Sequence, residues 1–177
     1  MKKEAFIHIS FLISFFLFVS IFKGWISISY WPFWVGGLVG NFLADFDHII
    51  YVFFLKPHEL TSQRVNYMVG KRRFFDTIDL LSKTRTERTS LIFHSILFQL
   101  IFIVLTFFVI TSSGSLFGRG LVLSFSLHLL VDQAVDLIEN KDLNIWFNNF
   151  PLRIPEDKHW AFWGINGLLL IIFGFLM

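Results

Sequence analysis

Apolar residues in this chain run in long, nearly unbroken stretches, not in the strict alternation of a strand or the narrow stripe of a surface helix. Five stretches stand out: Ala5–Phe22, Phe33–Leu55, Leu91–Ile110, Leu116–Ile138 and Trp160–Met177. Each reaches the roughly 17–25 residues that a helix needs to cross a hydrocarbon core about 30 Å thick. No water is available at that depth, so only a helix satisfies its own backbone, and each stretch is predicted helical. Trp31-Pro32 suits the opening of the second helix, because Pro is tolerated in a first turn and Trp favours the membrane interface. Gly36, Gly37 and Gly40 follow and give a neighbouring helix room to approach closely. Ser112-Ser113-Gly114-Ser115 is a short turn that makes spans three and four a hairpin, and Trp160 and Trp163 mark the start of the last span. The pattern predicts an all-α integral membrane bundle of about five transmembrane helices, one domain over residues 1–177, with a loop at 56–90.

Composition agrees. Of 177 residues, 55% are hydrophobic, 19% aromatic and 16% charged, and Phe alone occurs 25 times. Soluble domains carry roughly 25% charged residues, and a fold this small has too little interior to hide so much apolar surface. Disorder and a cytosolic globule are both excluded. The absence of cysteine removes disulfides, thiolate zinc sites and thiol nucleophiles. A formal charge of +2 carries little weight as a sum. Its distribution carries more, since 13 of the 15 basic residues fall before span one, in the 56–90 loop or in the 139–159 loop. Only Lys23 and Arg119 lie on the other side. The positive-inside rule then places the N-terminus and both loops in the cytoplasm, the expected setting being a bacterial inner membrane. A cleaved signal peptide at the N-terminus fits less well, because no Ala-x-Ala-like site follows the first apolar run. Lys71-Arg72-Arg73 reads first as a topology signal on a solvated loop and second as a site for anionic headgroups. Asp76, Asp79 and Glu87 interrupt this basic patch, so nucleic acid is not expected as a partner.

Ionisable residues inside apolar spans are costly and mark a function or a buried partner. Span one holds His8; span two Asp45, Asp47 and His48; span three His94; span four His128, Asp132 and Asp136. In the predicted topology all of them occupy the cytoplasmic half of the bilayer, although they come from four helices. His128 and Asp132 are spaced i, i+4 and share a face, which Asp136 continues one turn on. Asp45 and His48 are spaced i, i+3, with Asp47 on roughly the opposite side from Asp45. Imidazole and carboxylate are the ligands zinc and similar ions accept when thiolates are missing. A dication also offsets the cost of burying carboxylates. A purely hydrogen-bonded set is the plainer alternative. A proton or ion pathway is another, but it should reach both faces, and the outer half holds no acid or His.

At these residues the chain resembles the YdjM-like family of membrane-bound, metal-dependent hydrolases, grouped with zinc-dependent phospholipases C and single-strand nucleases. His8 matches that family's early His. Gly40-Asn41-Phe42-Leu43-Ala44-Asp45-Phe46-Asp47-His48 matches its Gly…Pro-Asp-x-Asp-His segment, with Ala44 in place of Pro. Phe93-His94-Ser95 matches the end of the third segment, and His128-Leu129-Leu130-Val131-Asp132 the His-x-x-x-Asp helix. Ile145-Trp146-Phe147 and Phe150-Pro151-Leu152 loosely match the closing Trp-Pro-Phe-like element. Thr89-Ser90-Leu91 stands where the family has His-Arg-Gly, which implies one or two ions instead of a full set.

The sequence therefore predicts a membrane-embedded hydrolase using a divalent ion, most readily zinc, with a lipid or lipid-linked substrate entering from the inner leaflet. The resemblance implies a phosphodiester bond. The expected ligands are His8, Asp45, His94, His128 and Asp132, with Asp47 and His48 as alternates or as groups that orient a ligand. Asp47 or Asp136 is the expected general base. His159 reads as an interface residue, His58 as solvated, and Ser95 carries little weight as a nucleophile. The competing classes are a metal-binding membrane protein without turnover and a membrane regulator using the 56–90 loop. Nothing in the sequence sets an oligomeric state.

Overall fold

The structure is a computed structural model that describes residues 2–148, 150–152 and 154–177. Arg153 and the side chains of Lys2 and Lys3, counted above among the basic residues, lie outside the described residues. Seven α-helices and no strand occur among the described residues: α1 (Lys2–Lys23), α2 (Trp31–Ile50), α3 (Leu60–Gly70), α4 (Phe74–Lys83), α5 (Ile96–Ser112), α6 (Leu116–Glu139) and α7 (His159–Leu176). A π-helical turn at Tyr51–Leu55 extends α2, and short 3₁₀ turns at Arg85–Glu87 and Asn144–Phe147 lie beside the site described below.

Among the described residues, four apolar segments are long enough to cross a membrane: Ala5–Lys23, Ile28–Leu55, Leu116–Glu139 and Glu156–Leu176. The outer surface is correspondingly apolar, with Phe6, Phe22, Phe42 and Phe108 all exposed. The expected third span is shorter than predicted. Helix α5 starts only at Ile96, so its 17 residues reach about 25 Å. Ser95 sets that start, because its hydroxyl accepts the Phe98 N–H as an N-cap. The preceding residues, Leu91 to Ser95, form a non-helical strap along the bundle, with Leu91, His94 and Ser95 buried.

Helix α6 is the axis of the molecule, with His128 to Gln133 buried without interruption. It packs most closely on α2, and glycines permit the approach. A Cβ placed on Gly36 would stand 2.1 Å from the Phe117 carbonyl oxygen, on Gly40 2.2 Å from that of Leu121, and on Gly120 2.1 Å from that of Phe33. Backbone therefore meets backbone, and the next turns of α2 are held against His128. Gly37 performs a similar service on another side, where the Phe16 ring of α1 fills its Cβ space. At the far end of the bundle Lys23 donates to the Phe175 and Met177 carbonyl oxygens. A cation at a helix C-terminus satisfies carbonyls that lack partners, and it puts the ends of α1 and α7 on one side.

His159 departs from expectation. It is fully buried, accepts the Leu143 N–H at Nδ1 (3.0 Å) and approaches the Ile154 carbonyl with Nε2 (3.1 Å). It ties the loop after α6 to the start of α7 and does not sit at an interface. His58 is exposed, as expected.

Gly40→Ala is expected to cost about 1–3 kcal/mol, the usual penalty of overpacking, read as a lower unfolding temperature in detergent. Gly164→Ala is the control, since a Cβ there meets nothing within 4 Å.

Candidate metal centre

The close α2–α6 contact brings Asn41, Asp45, Asp47 and His48 alongside His128, Asp132 and Asp136. Helix α1 adds His8, the strap adds His94, and the segment after α4 adds Arg85 and Arg88. Within this assembly, His8, His128 and Asp132 are all buried and present one ligand atom each within 4.8 Å of one another. The His8 and His128 rings stack at 4.1 Å. His8 Nε2 lies 3.2 Å from Asp132 Oδ1, and His128 Nε2 lies 3.3 Å from Asp132 Oδ2.

The chemistry of this group fits a divalent cation. His128 Nδ1 faces the Asn41 side-chain oxygen at 3.3 Å. In the tautomer that donates from Nδ1 to that oxygen, the lone pair on Nε2 points at the cluster, which is how a neighbouring group orients a ligating imidazole. His128 Nε2 is enclosed and makes no well-directed hydrogen bond, although carboxylate oxygens of Asp132 and Asp45 stand 3.3 and 3.5 Å away. Two imidazoles and a carboxylate leave a position open for a fourth group. Asp45, with its side chain 55% exposed, is the nearby carboxylate on the open side.

The remaining expected residues are arranged otherwise. His94 has carboxylates at both ring nitrogens, Asp47 Oδ2 at 3.2 Å from Nδ1 and Asp132 Oδ2 at 2.8 Å from Nε2. That is the donor pattern of an imidazolium, so His94 holds two helices together instead of offering a ligand lone pair. His48 Nδ1 accepts from Arg88 Nε at 3.1 Å, and its ring stacks on His94 at 5.2 Å. Asp47 is fully buried and its oxygens accept the Ile92, Phe93 and His94 backbone N–H groups at 3.0, 2.6 and 3.1 Å. Held by those bonds and by His94, the carboxylate does not line the large cavity, and its place is that of a group orienting His94, the other role expected of it. Asp136 accepts from Trp146 Nε1 at 2.7 Å and pairs with Arg85 at 3.5 Å. It faces a small separate cavity behind the cluster, beside Trp146 and Leu91.

Two arginines belong to the site; in the sequence both count toward topology, and Arg88 stands two residues out of register with the Arg of the family's His-Arg-Gly segment. Arg85 Nη1 donates to Asp132 Oδ1 at 2.9 Å. Arg88 is buried and, besides His48, donates to Thr84 Oγ1 (3.0 Å) and the Leu81 carbonyl. Their three-residue spacing, beside a span rich in acids and imidazoles, was the available hint. Asn41 was quoted within a motif without a role, and Trp146 likewise.

A cavity of about 430 Å³ opens from this group, with His8, Asp45, Asp132 and Arg85 on its polar wall. Its other wall is Ile9, Phe42, Phe46 and Ile49, residues that also face out of the bundle.

Fold and site together define an all-helical protein of the membrane type, with a buried His/Asp group able to hold a metal ion. No family model, curated protein or solved structure matches the chain.

Asp47→Ala would strip three backbone N–H groups of their acceptor, at about 1–3 kcal/mol for each one left unsatisfied. The expected result is loss of the folded protein or a steep drop in its melting temperature in detergent. Asp47→Asn, which keeps one acceptor oxygen, should lose less.

Proposed function

We propose that this protein is a membrane-embedded, metal-dependent hydrolase acting on a lipid or lipid-linked substrate, in line with its resemblance to the YdjM-like family. The observation that carries the reading is the convergence of His8, His128 and Asp132, of which His8 and Asp132 line a cavity that has both charged and apolar walls. Such a cavity suits an amphiphile, whose headgroup meets the charged wall while its chain follows Phe42 and Phe46. His8, His128 and Asp132 hold the ion, zinc by preference given nitrogen and oxygen donors. Bound there, it supplies the Lewis acidity that lowers the pKa of a water. Asn41 keeps His128 in the ligating tautomer. Asp45, the half-exposed carboxylate on the cavity wall, takes the proton-accepting role in preference to Asp47 and Asp136, which do not line that cavity. Arg85 presents a guanidinium at the same wall, a charge suited to a phosphodiester. With the positive-inside orientation of a bacterial inner membrane, the cavity opens toward the inner leaflet.

The Arg85 contact also favours a second reading, in which Asp132 is neutralised by the guanidinium alone and the cluster is a metal-free latch between α1, α6 and the loop.

Elemental analysis of the purified protein separates the two. The first reading expects a bound divalent ion that is lost in His8→Ala and in His128→Ala, and a lower melting temperature after chelation. It also expects turnover of a fluorescent phospholipid in nanodiscs. Asp45→Asn should retain the ion while turnover falls about 10²–10⁴-fold, the usual contribution of a general base. Ion-free protein whose heat tolerance is indifferent to chelator and added zinc would establish the latch.

A further inference from the structure

Helix α4 presents three different faces. Thr77 is buried, and Leu80 packs on the cluster of Tyr51, Val65 and Leu91, so one face is held by the protein. Asp76 and Asp79 occupy a second face, where each is paired, with Arg73 at 2.7 Å and Lys83 at 2.6 Å. The third face carries Phe74, Phe75 and Ile78, which are 57%, 84% and 49% exposed. At about 100° per residue these three project together. An exposed aromatic pair of this kind is unfavourable in water and needs a cover.

Two observations indicate what covers it. Ile78 belongs to the wall of the large cavity together with Phe42 and Phe46 of the spanning helix α2, so the apolar face of α4 continues the outward apolar surface of the bundle. Immediately before α4, Lys71 and Arg72 are exposed, while the acids of the helix already have cationic partners. The uncompensated charge beside the aromatic face is therefore positive.

We propose that α4 lies in the headgroup layer of an anionic phospholipid leaflet, with Phe74 and Phe75 dipped among the acyl chains and Lys71 and Arg72 at the phosphates. A helix with one apolar face, one charged face and flanking basic residues binds in the plane of the interface, and anionic headgroups attract such basic residues. This docking also sets α4 as the rim of the cavity at leaflet level. It rests on the membrane character of the fold and stands whether or not the cluster holds a metal.

The chain has no cysteine, so single cysteines report cleanly. Full-length Phe75→Cys and Asp76→Cys carry an environment-sensitive fluorophore in nanodiscs of phosphatidylcholine with or without phosphatidylglycerol. The expected result is blue-shifted emission at 75, quenched by nitroxide-bearing lipid, with severalfold less iodide quenching than at 76. Shielding at 75 should deepen with phosphatidylglycerol, and that dependence should vanish in Lys71→Gln/Arg72→Gln. Phe74→Cys provides a second apolar position should the label at 75 disturb folding. Equal iodide access at 75 and 76 would overturn the proposal. So would shielding at 75 from both quenchers, which would mean a second protein copy covers the face, or indifference to phosphatidylglycerol.

Discussion

The structure depends on an imidazole gripped from both sides. His94 bonds one carboxylate of α2 through Nδ1 and one of α6 through Nε2. Each carboxylate is itself buried among apolar helices, where a charge without a partner is far costlier than in water. Asp47, His94 and Asp132 therefore form one buried chain, with Arg85 as a further donor to Asp132, and removal of any member leaves the others exposed to that cost. Breaking a buried pair typically costs about 3–5 kcal/mol, a large share of the roughly 5–15 kcal/mol that holds a domain folded.

The same chain explains why non-helical backbone can exist along the bundle. A strap at this depth would carry unpaired N–H groups, which membrane proteins tolerate only where protein satisfies them. Asp47 supplies the acceptors for three consecutive N–H groups, and Ser95 then starts α5. Anchored this way, His94 reaches the cluster from a segment that no regular helix would have placed there. Asp47 acts on the candidate site through His94, without facing the cavity.

Burial alone does not distinguish a metal centre from a self-neutralised network, and Asp132 shows why. Its two oxygens lie near nitrogens of His8, His94, His128 and Arg85, more neighbours than a structural pair requires. Arg85 and a bound ion would draw on the same carboxylate charge, so occupancy at one weakens the hold of the other. Asp45, half exposed on the cavity side, is the acid with capacity to spare.

Much of this architecture was legible in the chain itself. Unbroken apolar runs dictate helices, four of them long and apolar enough to cross a membrane, because length and hydropathy are properties of local sequence. The i, i+4 spacing of His128 and Asp132 fixes their common face, and the Gly36–Gly40 region marks a close helix approach for the same local reason. Which groups bond which was decided by tertiary packing. The sequence read His94 as a ligand on a helix, Asp47 as a base, an alternate ligand or a group that orients one, and Arg85 and Arg88 only as part of a basic loop. The partners of all four come from the fold, since hydrogen bonds between residues some 40 positions apart depend on how helices meet and not on spacing. Local pattern specified the helices; only their assembly determined where each buried charge finds its counterpart.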